Sequence, residues 1–97
     1  MADRMKAPQP EVLIRLPRAL LDLFPEAGHE VTLPAATIAE MIAALDARWP
    51  GMRDRLCDST PRIRRHLNIF VEGRRATLET QLKPGTKIYV MTAVSGG

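Results

Sequence analysis

Along Glu11-Val12-Leu13-Ile14-Arg15-Leu16, Val12, Ile14 and Leu16 fall two residues apart, on one side of an alternating pattern. A period of two marks a half-buried strand, and Pro17 ends it because proline has no amide for a ladder. Arg18 to Phe24 is a short apolar stretch of ambiguous type with room for one helical turn, and Pro25-Glu26-Ala27-Gly28 reads as a turn. His29 to Leu33 supplies a second short strand, so residues 11–33 form a wide hairpin. The period then changes. Thr37-Ile38-Ala39-Glu40 is a capping box, in which the Thr37 hydroxyl accepts from the Glu40 amide and the Glu40 carboxylate reaches back. Ile38, Met41, Ile42, Leu45 and Trp49 follow as one helical stripe, and Pro50-Gly51 stops it. An amphipathic helix of about eleven residues, able to lie across a sheet, is the strongest element of the chain.

Met52 to Arg65 reads as charged and irregular, with a turn at Ser59-Thr60-Pro61. His66 to Glu72 is a strand: Leu67, Ile69 and Val71 face one way, Asn68 and Phe70 the other. Gly73 turns the chain, and Arg75 to Leu78 is expected to form a brief strand. Lys83-Pro84-Gly85-Thr86 has the Pro-Gly signature of a type II turn. Lys87 to Thr92 is the last strand, with Ile88 and Val90 inward and Tyr89 and Met91 outward. The order β-β-α-β-(β)-β with one helix on one face is α+β. If the first and last strands lie side by side in the middle they run parallel, which is the ubiquitin-like β-grasp with a mixed sheet of four to five strands. The expected organisation is a flexible leader at 1–10, a β-grasp domain at 11–92 and a flexible tail at 93–97.

Composition narrows the function. With 97 residues, 45% apolar and 26% charged, the chain reads as one soluble, cytoplasmic domain rather than a disordered or multi-domain protein. No apolar run exceeds the five residues Met41 to Leu45, so no membrane span is expected. A single cysteine, Cys57, excludes an internal disulfide and a cysteine metal cage. Residues 1–52 carry five Lys/Arg against seven Asp/Glu, whereas residues 53–97 carry nine against four. The basic half suggests an acidic partner. Nucleic acid is disfavoured, because the four aromatics (Phe24, Trp49, Phe70, Tyr89) do not interleave with basic residues.

No catalytic constellation is visible. His29 and His66 lie on strand segments with no Cys or carboxylate at ligand spacing, Cys57 has neither a base nor a resolving cysteine beside it, and no glycine-rich phosphate loop is present. No metal and no bound cofactor are expected. The last residues, Ala93-Val94-Ser95-Gly96-Gly97, are different. Two glycines hold structure poorly but pass a narrow channel easily, and five extended residues reach at most ~17 Å.

Taken with that ending, Leu67-Asn68-Ile69-Phe70-Val71-Glu72-Gly73 and Leu82-Lys83-Pro84-Gly85-Thr86-Lys87-Ile88-Tyr89-Val90 resemble the ubiquitin-like sulfur-carrier family of MoaD/ThiS type. The resemblance covers about residues 11–97. It comes closest to the carriers of cysteine biosynthesis, which share a basic loop leading into the strand, here Arg65 to Val71. Three positions depart from the family pattern: Glu72 replaces an Asn, Thr86 an Asp, and Thr92 a Pro.

The resemblance implies a carrier, not an enzyme. An E1-like adenylyltransferase/sulfurtransferase, using its own ATP and Mg²⁺, would adenylate the Gly97 carboxylate and convert it to a thiocarboxylate. A cysteine-synthase-like acceptor would then receive the sulfur. Phe70, Tyr89 and Met91, pointing away from the helix, are expected to dock partners, with Arg74 and Arg75 on the neighbouring turn as a basic rim. Three alternatives stay open: a protein modifier conjugated through Gly97, the small subunit of molybdopterin synthase, and a basic nucleic-acid-binding domain.

Overall fold

The computed structural model describes residues 10–60 and 62–92. Its elements in chain order are β1 (Glu11–Arg15), α1 (Arg18–Leu23), β2 (Glu30–Pro34), α2 (Ile38–Arg48), α3 (Met52–Leu56), β3 (Leu67–Val71), β4 (Arg74–Arg75) and β5 (Lys87–Thr92). The strands form one sheet in the order β2-β1-β5-β3-β4. β1 and β5 are parallel neighbours, with Ile14 opposite Ile88, and the other pairings are antiparallel. First and last strands therefore share the centre of a ubiquitin-like β-grasp. β1 and β2 make the expected hairpin, and α1 occupies its connection.

One face of the sheet packs on α2. Val12, Ile14, Val31, Leu33, Ile69, Val71, Ile88 and Val90 are all buried there, together with Ile38, Met41, Ile42 and Leu45 of the helix stripe. Each such aliphatic side chain stabilises the fold by about 1.5–3 kcal/mol when fully buried. Trp49 continues the stripe as the helix C-cap and is half-buried against the core.

The start of α2 satisfies its amides completely. Ile38 N–H donates to Thr80 C=O at 3.1 Å, Ala39 N–H to Leu78 C=O at 3.0 Å, and Glu40 N–H to Thr37 Oγ1 at 3.2 Å. The Glu40 carboxylate accepts from Ala36 N–H at 3.0 Å, which completes the capping box one residue earlier than the simplest form. Amides that a helix normally leaves orphaned thus tie the 78–82 segment to the core, with Leu82 N–H bonded to Ala36 C=O at 2.9 Å.

Several expectations need correction. The charged stretch after Pro50 is not uniformly irregular. Met52–Leu56 is a short helix whose Met52 and Leu56 are buried, and Asp46 of α2 caps it by accepting from Gly51 N–H at 3.0 Å and Arg53 N–H at 2.9 Å. The brief strand is Arg74–Arg75 rather than Arg75 to Leu78, because the chain leaves β3 after one further bond, Ala76 N–H to Ile69 C=O at 2.7 Å, to reach α2. His29 and His66 stand just outside β2 and β3, both exposed. The expected leader and tail lie outside the described residues, apart from Pro10.

The departures Glu72 and Thr86 find local explanations. Glu72 and Gly73 both have positive φ (53° and 80°), the backbone of a tight β3–β4 hairpin turn that suits Asn-Gly best. Thr86 is buried, and its hydroxyl accepts from Lys83 N–H at 3.2 Å across the turn, a bond that a carboxylate would also make. Gly85 has φ 79°, as the third residue of a type II turn requires.

Candidate functional site

The last central strand sets the site. β5 runs between β1 and β3 and pairs Thr92 with Leu67 at the end of the ladder. Ala93, Val94, Ser95, Gly96 and Gly97, the segment singled out in the sequence, lie outside the described residues. Their point of departure is nevertheless defined: the chain reaches residue 92 on the central strand, beside the start of β3 and the arginine-rich loop before it.

The face of the sheet opposite α2 carries a row of registered side chains. Glu30, Arg15, Tyr89, Phe70 and Arg75 lie in successive strands, each paired with the next across the sheet. Asn68 and Met91 form the adjacent pair on β3 and β5. Tyr89 is 42% exposed and Met91 50%, while Phe70 is half-buried between its neighbours. Phe70, Tyr89 and Met91 therefore do sit together on the open face. Arg15 Nη1 and Glu30 Oε2 form an exposed ion pair at 3.1 Å, which at that exposure contributes little to stability but sets the charge at one end of the row.

The two expected rim residues separate. Arg74 and Arg75 belong to a strand and not to the turn, and alternate residues of a strand point to opposite faces. Arg75 pairs with Phe70 and joins the open row, whereas Arg74 pairs with Val71 and shares the side of the sheet that faces α2. Arg15, Leu13 and Lys87 also belong to the open face, with Leu13 paired to Lys87. The signal for these was present as the odd positions of the first strand pattern, which core-finding passes over.

Cys57 is not a loop residue. It is buried, bridges to Ile63, and lines a small cleft of about 250 Å³ with Ala39, Ile42 and Leu78. Burial pushes its thiol above the ordinary cysteine range, and Asp58 adds to this, against the opposing pull of Arg53 and Arg64. A thiol held protonated is a poor nucleophile. Asp58 organises the next turn by accepting from Thr60 Oγ1 at 2.7 Å, Thr60 N–H at 2.9 Å and Arg62 N–H at 3.2 Å. Those bonds, from the Thr60 hydroxyl first, hold its carboxyl below the ordinary range. Among the described residues no group of three or more His, Cys, Asp or Glu is placed to hold a metal ion, and no helix is long and apolar enough to cross a membrane.

Comparison with known proteins agrees with this arrangement. A chain of the BexX/CysO complex from Amycolatopsis orientalis superposes with a TM-score of 0.78 at 26% identity, covering 89% of this chain and 99% of that one. CysO from Mycobacterium tuberculosis, described as an antigen, gives 0.76 at 24% identity, with 86% and 99% covered. SAMP1 from Haloferax volcanii gives 0.74 at 21%, with 90% and 99% covered. No curated protein sequence matches significantly. The model of the ThiS family matches residues 18–97, which is most of the sequence, and the chain therefore belongs to the ThiS family of ubiquitin-like sulfur carriers.

Proposed function

We propose that this chain carries sulfur on the carboxylate of Gly97 and delivers it to a biosynthetic acceptor. A carboxylate resists nucleophiles because it is charged and resonance-stabilised. In the proposed cycle a partner of the ubiquitin-activating type, holding ATP and Mg²⁺, lets a Gly97 oxygen attack the α-phosphorus, and pyrophosphate leaves. Hydrosulfide then attacks the carbonyl of the acyl-adenylate, and the bond to AMP breaks. The product is a C-terminal thiocarboxylate, nucleophilic yet held covalently. A sulfur supplied as a partner's persulfide needs an additional thiol to reduce the resulting acyl disulfide. This chain contributes the activated end and a surface that a partner grips.

The observation that carries the proposal is the placement of β5 at the centre of the sheet, ending at Thr92 beside the open apolar row, with only Ala93, Val94 and Ser95 between it and Gly96-Gly97 in the sequence. Phe70, Tyr89 and Met91 are the proposed docking surface, with Arg75 at its edge and Arg74 turned away. The proposed acceptor is of the cysteine-synthase-like class, on the resemblance of Arg65 to Val71 to the carriers of cysteine biosynthesis, and likeness to a chain of the BexX/CysO complex at 26% identity supports a carrier that works in complex with a partner protein. A second reading, conjugation of Gly97 to lysines of other proteins, draws on likeness to the small archaeal modifier protein 1 of Haloferax volcanii, at the level of fold alone.

Intact-mass measurement after incubation with ATP, Mg²⁺, sulfide and an adenylating partner tests the cycle. Exchange of one oxygen for one sulfur is the expected gain, and removal of Gly97 abolishes it. No gain with the full chain defeats the carrier reading, while ladders of heavier species on an immunoblot for this chain favour conjugation. In the same assay Met91→Asp is expected to weaken partner binding with the fold retained.

A further inference from the structure

The two edges of the sheet are treated differently. At the β2 edge, Arg48 Nη1 donates to Thr32 C=O at 3.3 Å and Pro34 ends the strand, so this edge is blunted. On the opposite side β4 pairs with β3 only at Phe70 and Val71, and beyond it the edge is held by two bonds, Ala76 N–H to Ile69 C=O at 2.7 Å and Leu67 N–H to Arg64 C=O at 3.0 Å. The flank of β3 over Leu67–Ile69 borders instead a groove of about 230 Å³, whose walls include Arg64, Arg65 and Arg75. Ile63 and Ala76 continue it into a wider section of about 450 Å³ that holds Arg62 and Leu78.

Its charge is one-sided. Arg64 Nε donates to Asp54 C=O at 2.7 Å and Arg62 acts on the Asp58 carboxylate, but among the described residues the guanidinium groups of Arg65 and Arg75 have no hydrogen-bond or ion-pair partner. No acid lines the narrow section, and Glu79 is the acid of the wider one. Unpaired guanidinium groups along a groove attract anions and bind carboxylates in a fork geometry. Ile63, Leu67, Ile69, Ala76 and Leu78 supply aliphatic wall between the polar groups of Asn68, Thr60 and Thr77, and a groove of mixed character along a strand edge accommodates an extended peptide. Neither section is lined by an aromatic ring on which a base could stack, which argues against single-stranded RNA.

Position gives the groove a purpose. Leu67 on its wall pairs with Thr92, so a protein that receives the residues after 92 brings its own surface alongside. We propose that this groove is a second contact, adjoining the open sheet face at Asn68 and Arg75, which takes an extended acidic segment of the partner that activates the terminus. The identity of that partner rests on the carrier reading; the groove's preference for an acidic peptide is measurable without it.

The test follows backbone amides of the ¹⁵N-labelled full chain by NMR during titration with a synthetic peptide alternating Glu or Asp with Val or Ile. Amides of Ile63, Leu67, Ile69 and Ala76 are expected to shift, and a peptide with Lys in place of each acid is expected to leave them still. The charge reversal Arg65→Glu is expected to weaken binding by about fivefold or more, with the rest of the spectrum unchanged; Arg65→Gln loses less. Equal shifts with both peptides, or shifts confined to Phe70, Tyr89 and Met91, overturn the proposal. So does stronger binding of inorganic pyrophosphate or an RNA oligonucleotide at the same amides. ATP–pyrophosphate exchange with an adenylating partner separates the two ideas: the charge reversal is expected to raise KM for the carrier with kcat unchanged. Absence of exchange with the unaltered chain defeats the carrier reading and leaves the peptide titration to decide the groove.

Discussion

Ile69 and Phe70 are neighbours in β3, yet one is fully buried under α2 and the other half-buried on the face that α2 does not cover. The same contrast repeats in β5, where Ile88 and Val90 are buried and Tyr89 and Met91 are exposed. One face thus supplies the stability of the domain, and the other is apolar without being needed for it. Apolar residues in register across β5 and β3, rimmed by Arg15 and Arg75, are costly to leave in water unless a partner covers them. The proposed carrier role asks for this division, in which the scaffold stays folded while partners grip and release its free face.

Core truncation should separate the faces most sharply. Ile69→Ala removes a fully buried side chain and is expected to cost about 2–5 kcal/mol in denaturant unfolding, whereas Met91→Ala, half exposed, is expected to cost under about 1 kcal/mol. Equal losses would mean that the open face is structural. Thr37→Ala tests how the helix is fastened to the closed face. It removes the hydroxyl that accepts from the Glu40 amide and is expected to cost about 1 kcal/mol, read from the thermal midpoint.

A smaller effect of opposite sign lies at the β3–β4 turn that joins the open row to its edge. Glu72 holds φ at 53°, a region that Asn tolerates better, so Glu72→Asn is expected to stabilise by about 0.5 kcal/mol. A loss instead would show that the Glu72 side chain does something beyond the turn. The smallest effect concerns pH. Because hydrogen bonds lower the Asp58 carboxyl in the folded chain, its contribution is complete above the ordinary carboxylate range and fades as pH falls through the depressed value. NMR titration should find Asp58 among the last carboxylates to protonate, with the Thr60 and Arg62 amides changing at the same pH.

How much was legible in the sequence differs from element to element. The strand of Val12, Ile14 and Leu16, the eleven-residue helix with its Thr37–Glu40 box, and the Pro84-Gly85 turn were all readable, because each is written in local periodicity or local capping. The short α3 was missed because its cap, Asp46, belongs to the preceding helix and its two buried residues are too few to show a period. The strand expected at Arg75 to Leu78 is displaced because the Ala39 and Ile38 amides at the start of α2 take the carbonyls of Leu78, at its end, and of Thr80, just beyond it. Cys57 looked like a loop residue among charges, and only the bridge to Ile63 puts it inside.

By itself the amino-acid sequence determined the alternation in each strand, the apolar stripe of the helix and the glycine-ended terminus, since these depend on residues within a few positions of one another. Tertiary structure alone decided which side chains meet. It drew Arg15, Tyr89, Phe70 and Arg75 into one row, turned Arg74 to the other side, and set Arg64, Arg65 and Arg75 around the groove beside β3. Those juxtapositions join residues as far apart along the chain as Arg15 and Tyr89, and local propensity carries no record of a distance that only strand pairing closes.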